Sequence, residues 1–153
     1  MSLGQIYNFR ALSANLLTSG QPTASQMAEV ARIGVQTVIN LALPTSDNAL
    51  PDEESLVRSL GMEYIHIPVE WEQPTQTDLA HFLEIMQKQA GRKLLVHCAA
   101  NYRASCFVAL WRILRQGRAL ESALEEMHHI WDEDQYPAWK RFMADALAQE
   151  GKY

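Results

Sequence analysis

Short apolar runs alternate along this chain with segments of helical periodicity, and this alternation constrains the fold more than any other feature. Residues 36–41, 62–68 and 93–97 are rich in β-branched and aliphatic side chains, as is typical of buried strands. Between the last two runs, apolar residues recur at helical spacing over 76–90. Strands separated by helices favour a mostly parallel sheet.

The remaining segments complete the same pattern. We expect short strands within 6–19 and further helices over about 25–33, 52–60, the residues after 97, 119–131 and 137–150. The predicted fold is therefore α/β, with a mainly parallel central sheet of four to five strands flanked by helices. We interpret residues 1–153 as one domain, since single cores typically contain about 100–200 residues.

Composition and charge exclude several classes of protein. Hydrophobic residues make up 48% and charged residues 20%, which argues against a disordered chain. The net charge of −5 is unfavourable for a general nucleic-acid binder, so no nucleic-acid partner is expected. No apolar run approaches the roughly 20 residues that span a bilayer, so no membrane partner is expected. Cys98 and Cys106 do not form a disulfide framework, and we expect a reduced, cytoplasmic protein whose oligomeric state is left open.

The carboxyl end of the strand over 93–97 is the strongest candidate for a functional site. The strand ends in His97-Cys98, a loop of small residues follows, and Arg103 opens the next helix. Ligands of parallel sheets bind at this edge. Loop N–H groups and a helix N-terminus attract an anion and favour a thiolate. Arg103 offers a bidentate fork for a phosphate-like group.

These residues resemble the phosphate-binding loop of cysteine-dependent protein phosphatases of the tyrosine and dual-specificity types. The likeness extends over about residues 5–115 to a bacterial family of small phosphatase-like domains. The segments that carry it are Ser19-Gly20-Gln21-Pro22, Val38-Ile39-Asn40-Leu41, Ile67-Pro68-Val69 and Val96-His97-Cys98-Ala99-Ala100-Asn101.

The resemblance implies hydrolysis of phosphate monoesters, phosphotyrosine among them, through a phosphocysteine on Cys98. The substrate would be a phosphorylated small molecule or protein, and neither a cofactor nor a metal is implied. The residues expected to bind the phosphoryl group are Ala99, Ala100, Asn101, Tyr102, Arg103 and Ser105.

This chain departs from the phosphatase pattern in one respect that affects the chemistry. Four residues separate Cys98 from Arg103 where the pattern has five, and Ala104 occupies the usual arginine place. Asn101 stands where the pattern has glycine, and asparagine tolerates a left-handed backbone. The shorter spacing resembles the rhodanese loop, so sulfur transfer through a persulfide remains an alternative. A catalytically silent phosphate-binding module is the second alternative.

A phosphatase of this type also needs an acid for the leaving oxygen. Related enzymes use an aspartate in a loop before the cysteine, whereas the matching stretch here holds only Glu70 and Glu72. Glu70 is preferred because it follows the strand end more closely. Residues assigned to the edge of the substrate pocket are Gly20, Gln21, Pro22 and Glu72.

A second cluster of titratable residues follows the helix expected over 119–131. His128 and His129 precede three acidic residues, a composition that occurs in metal sites. Adjacent histidines point to different faces of a helix, so no metal site is expected.

Overall fold

Five short strands form the sheet that the alternating pattern predicts. The computed structural model describes residues 3–151. Its strands are β1 (Arg10–Ser13), β2 (Leu16–Ser19), β3 (Thr37–Asn40), β4 (Glu63–His66) and β5 (Leu94–His97). They lie in the order β1-β2-β5-β3-β4. The last four are parallel and β1 pairs antiparallel with β2, which confirms the predicted α/β fold with a mainly parallel sheet.

Six α-helices surround this sheet and begin close to the predicted positions. They are α1 (Ala24–Arg32), α2 (Glu53–Ser59), α3 (Gln76–Lys88), α4 (Tyr102–Arg115), α5 (Leu120–His128) and α6 (Pro137–Gln149). The largest difference is at α5, which was expected to continue to residue 131. It ends earlier because the N–H groups of His129 and Ile130 donate to carbonyls only three residues back, those of Glu126 and Met127.

The sheet separates two layers of helices. On one face, α1 and α2 cover Val38 of β3 and Leu95 of β5, and on the other, α3 to α6 cover Ile39 and Val96. Neighbouring residues of one strand enter different cores because side chains alternate across a sheet. Both faces of the parallel strands are therefore buried. Separately, no helix within residues 3–151 is long and apolar enough to cross a bilayer.

The parallel strands end in register, and this alignment positions the site. Ser19 of β2 and Asn40 of β3 flank His97 of β5, and Asn40 pairs in turn with His66 of β4. Four polar side chains thus form a row at the carboxyl edge of the sheet. The chain leaves β5 at Cys98 and enters α4 at Tyr102, so the loop between them lies on this row.

Candidate active site

Cys98 is the first residue after β5, and the sheet fixes its position. Its N–H donates to the Ser19 carbonyl at 3.3 Å, while the carbonyl of His97 accepts from Leu41 N–H at 2.8 Å. The Cys98 side chain is fully buried. Hydrogen bonds to two neighbouring segments therefore fix the backbone at Cys98, and rigid placement of this kind suits a nucleophile.

The carbonyl groups of the loop after Cys98 are all bonded to partners. The Ala99 carbonyl accepts from the Gln21 N–H at 3.1 Å and from Asn48 Nδ2 at 3.0 Å. The Ala100 carbonyl accepts from Asn8 Nδ2 at 2.9 Å. These bonds determine which way the peptide planes face.

The N–H groups of the same loop are left available. Within residues 3–151, the N–H groups of Ala99 and Ala100 donate to no acceptor. Asn101, at the N-cap of α4, makes no capping bond; its Nδ2 donates instead to the Asn8 carbonyl at 2.8 Å and to Thr18 Oγ1 at 3.0 Å. Free amides at an uncapped helix N-terminus form an anion-binding concavity.

Asn101 makes this turn possible. It has a φ of 69°, in the left-handed region where asparagine is the best tolerated residue after glycine. The prediction that Asn101 replaces the family's glycine in a left-handed backbone is therefore confirmed.

Gly20 and Gln21 support the loop from β2. Gly20 forms a bridge with Ala100, and a Cβ at Gly20 would lie 2.8 Å from the Ala99 carbonyl oxygen. The Gln21 amide donates to Glu53 Oε1 at 2.7 Å and to the Pro22 carbonyl at 3.0 Å. These contacts give Gly20 and Gln21 a role behind the loop, and their contact with a substrate stays a prediction.

Arg103, one position earlier than in the phosphatase pattern, is buried at the start of α4. Its Nη1 donates to the Val69 carbonyl at 3.0 Å. A guanidinium has five N–H donors, so this bond leaves others for an anion. This bond joins the loop after β4 to α4, the helix that follows Cys98. Glu70 is the residue after Val69 and therefore lies beside this bond.

The two candidate acids differ in their surroundings, although both are exposed. Glu70 directly follows Val69. Glu72 lines a cavity beside Arg141 and Asp145 of α6. Trp71 lies between them, and its carbonyl accepts from Trp139 Nε1 at 2.8 Å. Glu70 thus lies closer along the chain to the residue that Arg103 contacts, and its role as the acid stays a prediction.

An aromatic cluster holds this loop against α4. Trp71 packs against Tyr102, Trp131, Tyr136 and Trp139, with ring centroids 5.1 to 5.8 Å apart. Such pairs contribute about 0.5–1.5 kcal/mol each beyond their buried area. The loop that carries both glutamates is therefore packed at its centre.

Ser105 was expected to help bind the phosphoryl group, and the structure gives its hydroxyl other partners. Ser105 Oγ donates to the Tyr102 carbonyl at 3.1 Å and accepts from Trp131 Nε1 at 3.0 Å. Ser105 thus links α4 to the aromatic cluster, and its contact with a phosphoryl group stays a prediction.

Glu53, at the start of α2, is a residue of the site that the sequence analysis did not identify. Its Oε2 lies 2.7 Å from Nε2 of His97, and both side chains are buried. The other ring nitrogen, Nδ1, faces the Cys98 carbonyl at 3.2 Å. The Glu53 carboxyl group and the Cys98 carbonyl group thus face the two ring nitrogens of His97.

The pKa of Glu53 indicates the charge of its carboxyl group. Burial alone would raise the pKa of this carboxyl, but the bonds from His97, Gln21 and Tyr64 hold it below its ordinary value. The carboxylate form of Glu53 is therefore favoured. This buried carboxylate lies behind the cysteine loop and holds the ring of His97, the residue before Cys98.

Comparison with known proteins assigns the family. Residues 7–145 match the family model described as DSP-PTPase phosphatase fused to NAD+ kinase. The chain belongs to this family. The resemblance to dual-specificity and tyrosine phosphatases drawn from the loop residues is confirmed.

Individual relatives agree with this assignment. A DUF442-family protein from Shewanella putrefaciens CN-32 has a solved structure that superposes with a TM-score of 0.88, at 36% identity and 97% coverage of both chains. The dual specificity protein phosphatase TpbA of Pseudomonas aeruginosa is 29% identical over 134 residues, which is 83% of this chain and 57% of TpbA. A structure of TpbA with phosphotyrosine has the same fold, at a TM-score of 0.73.

A third relative is much longer than this chain. The β-lactamase hydrolase-like protein of Xylella fastidiosa is 28% identical over 121 residues. The match covers 77% of this chain but 28% of that protein. The chain therefore spans between about a quarter and three fifths of the curated relatives it matches.

One sequence signal points to Glu53. Val57 lies four residues later in α2 and is buried, so Glu53 is on the buried face of the helix. A carboxylate on such a face requires a partner. The neighbouring acidic residues Asp52 and Glu54 obscure this signal, because charged residues at a helix start are usually solvated.

The histidines at the end of α5 lie beside acidic side chains. His128, Asp132 and Glu133 place ligand atoms within 4.8 Å of one another, and His128 Nε2 lies 2.5 Å from Glu133 Oε1. His129 faces Glu126 at 3.9 Å, and Glu126 also pairs with Arg10 at 2.8 Å.

Proposed function

We propose that this protein hydrolyses phosphate monoesters through a phosphocysteine on Cys98. The observation that carries the proposal is the loop 98–101, whose carbonyl groups are bonded elsewhere, while the N–H groups of Ala99 and Ala100 donate to no acceptor within residues 3–151. Together with the uncapped start of α4, this loop offers a preformed site for a phosphoryl group.

In the first step, the Cys98 thiolate attacks phosphorus and the bond to the leaving oxygen breaks. Loop N–H groups and the unengaged N–H groups of Arg103 stabilise the charge on the three equatorial oxygens. Glu70, in its protonated form, donates its proton to the leaving oxygen, so an alcohol departs.

In the second step, water attacks the phosphocysteine. Glu70, now a carboxylate, takes a proton from this water while the S–P bond breaks. Inorganic phosphate leaves and the thiolate is restored, so the enzyme returns to its starting form. A reducing compartment such as the cytoplasm would keep the thiol available.

We place aryl phosphates among the candidate substrates. TpbA binds phosphotyrosine in its solved structure. In this chain, Tyr7 contacts Gly20 beside the loop and is 56% exposed, and Tyr102 directly follows Asn101. Two aromatic rings near the loop are suitable for stacking on a phenyl ring.

The decisive experiment traps the intermediate. Wild-type protein is mixed with a ³²P-labelled aryl phosphate, quenched in acid within milliseconds, and digested for mass spectrometry. We expect label on the peptide that contains Cys98, and none in Cys98→Ser. Cys106→Ala is the matched control and should label normally.

The two alternative functions predict other results. If the protein transfers sulfur from thiosulfate to cyanide, requires Cys98 to do so and releases no phosphate, its function is sulfur transfer and not hydrolysis. Binding of phosphate without label or turnover would identify a silent module.

A further inference from the structure

The amino edge of the sheet, opposite the cysteine loop, contains a second cavity. Its volume is about 320 Å³, and it lies between the β1–β2 turn, the end of α3 and the end of α4. Residues from these segments that line it include Asn15, Gln89, Arg92, Trp111, Arg112 and Arg118. Ligand sites commonly measure about 300–1,000 Å³, so this cavity is large enough for a small ligand.

Arg112, in the last turn of α4, is the unusual member of this set. It is only 9% exposed. Within residues 3–151, its guanidinium makes no hydrogen bond and has no carboxylate oxygen within 4.0 Å. Burial and the charge of Arg118 lower its pKa, against the attraction of Glu126, which is itself paired with Arg10 at 2.8 Å. None of its nitrogen atoms is both fully enclosed and unpartnered, so solvent reaches the guanidinium although most of the side chain is buried.

The other two arginines add to the positive charge. Arg118 is exposed, and in the part of the chain that the structure describes its side chain has no ion pair. Arg92 is partly engaged, since its Nε donates to Thr37 Oγ1 at 3.2 Å and its Nη2 lies 3.9 Å from Glu63. A chain with a net charge of −5 thus concentrates uncompensated positive charge at one cavity.

We propose that this cavity binds a small phosphorylated ligand through the guanidinium groups of Arg112 and Arg118. Guanidinium forks match phosphate oxygens in a bidentate manner. The bound anion would accept hydrogen bonds from Arg112 in place of solvent. The half-buried Trp111 ring and the amides of Asn15 and Gln89 are available to the rest of the ligand. This site is separate from the cysteine loop and does not depend on the reaction proposed there.

Pyrophosphate is a suitable probe, because it carries the proposed group and no ester to hydrolyse. The whole chain, labelled with ¹⁵N, is titrated with pyrophosphate, and amide and indole shifts are followed by NMR. Shifts at Trp111 and residues 89–92 and 112–118 report the proposed cavity, and shifts at residues 98–103 report the cysteine loop. We expect saturable shifts in the first group.

Two variants test the assignment. Arg118→Gln changes an exposed side chain, so the fold is retained, and the apparent affinity in the first group should fall about tenfold or more. Arg112→Gln should abolish saturation there. Arg115→Gln is the matched control, because Arg115 lies on the same helix but pairs with Glu150 at 3.1 Å. It should bind like the wild type.

Two results would overturn the proposal. One is saturable shifts confined to residues 98–103, with none in the first group. The other is equal weakening by Arg118→Gln and Arg115→Gln, which would indicate a general charge effect. Because the two groups of signals are separate, the result stands whether or not the protein proves to be a phosphatase.

Discussion

The two ends of the parallel sheet present hydrogen-bond donors in different ways. At the carboxyl end, positive potential comes mainly from the main chain, as free N–H groups of a loop and a helix N-terminus. At the amino end it comes from arginine side chains around a cavity. The first arrangement contains a cysteine, and no cysteine is among the residues that line the second.

This difference determines how each end responds to change. A main-chain site depends on every contact that orients its peptide planes, so Asn8, Asn48 and Gly20 matter without touching a ligand. A side-chain site depends on the arginines themselves. Substitutions at the carboxyl end should therefore alter turnover, and those at the amino end should alter binding alone.

The substitution with the largest expected effect should abolish turnover at the carboxyl end and leave binding at the amino end unchanged. Cys98→Ser removes the nucleophile, so phosphatase turnover should fall about 10⁴-fold or more. Pyrophosphate binding at Trp111 and Arg118 should be unchanged. Steady-state phosphate release and the NMR titration measure the two quantities. Loss of both together would show that the ends are coupled.

The general acid should give the next largest effect. Glu70→Gln should slow hydrolysis of a tyrosyl phosphate about 10²–10⁴-fold, and should affect p-nitrophenyl phosphate much less, because nitrophenolate leaves without a proton. Glu72→Gln is the control and should be nearly normal on both substrates. The reverse pattern would move the role to Glu72, and slight, equal effects would mean that neither residue is the acid.

Gly20 tests how closely the main-chain site is packed. In Gly20→Ala, the new Cβ would lie 2.8 Å from the Ala99 carbonyl oxygen and 2.9 Å from Tyr7 Cδ2. We expect the free energy of unfolding in urea to fall by about 1–3 kcal/mol. Adding Tyr7→Ser should relieve one contact and not the other, because Ala99 contributes backbone. Full recovery in the double variant would contradict a backbone clash.

The parts of the molecule that the sequence predicts are those encoded by near neighbours in the chain. Strand and helix periodicity is local, and the order of strands and helices then favours a parallel sheet. The cysteine loop is also local, since Cys98, Asn101 and Arg103 lie within one turn between β5 and α4. Their types and order were enough to predict an anion site and its family.

The parts that were missed depend on pairs distant in the chain. Glu53 and His97 are 44 residues apart, and only the fold brings them together. Ser105 was assigned to the anion because its partner Trp131, 26 residues away, is not apparent from the sequence. In the sequence, Arg112 and Arg118 resemble an ordinary basic helix end. Only the fold shows that three segments enclose one cavity beside them.

The last prediction compares the buried charges at the two ends. Glu53→Gln keeps the shape and removes the charge, so the free energy of unfolding at pH 7 should fall by about 1 kcal/mol. The folded-state pKa of Glu53 lies below its ordinary value of 4.5. The stabilisation is therefore present above pH 4.5 and is lost as the pH falls through the folded pKa. Urea unfolding of both proteins from pH 7 to pH 3 measures this loss.

Arg112→Met provides the opposite case, because it removes a buried charge that has no bonded partner. Without added anions, its free energy of unfolding should equal or exceed that of the wild type. Glu54→Gln, an exposed change beside Glu53, is the control and should show little pH-dependent difference. A Glu53→Gln protein as stable as the wild type at pH 7 would contradict a stabilising Glu53 carboxylate. A marked loss of stability in Arg112→Met would show that Arg112 is satisfied within the protein, and the amino end would then have no need of a ligand.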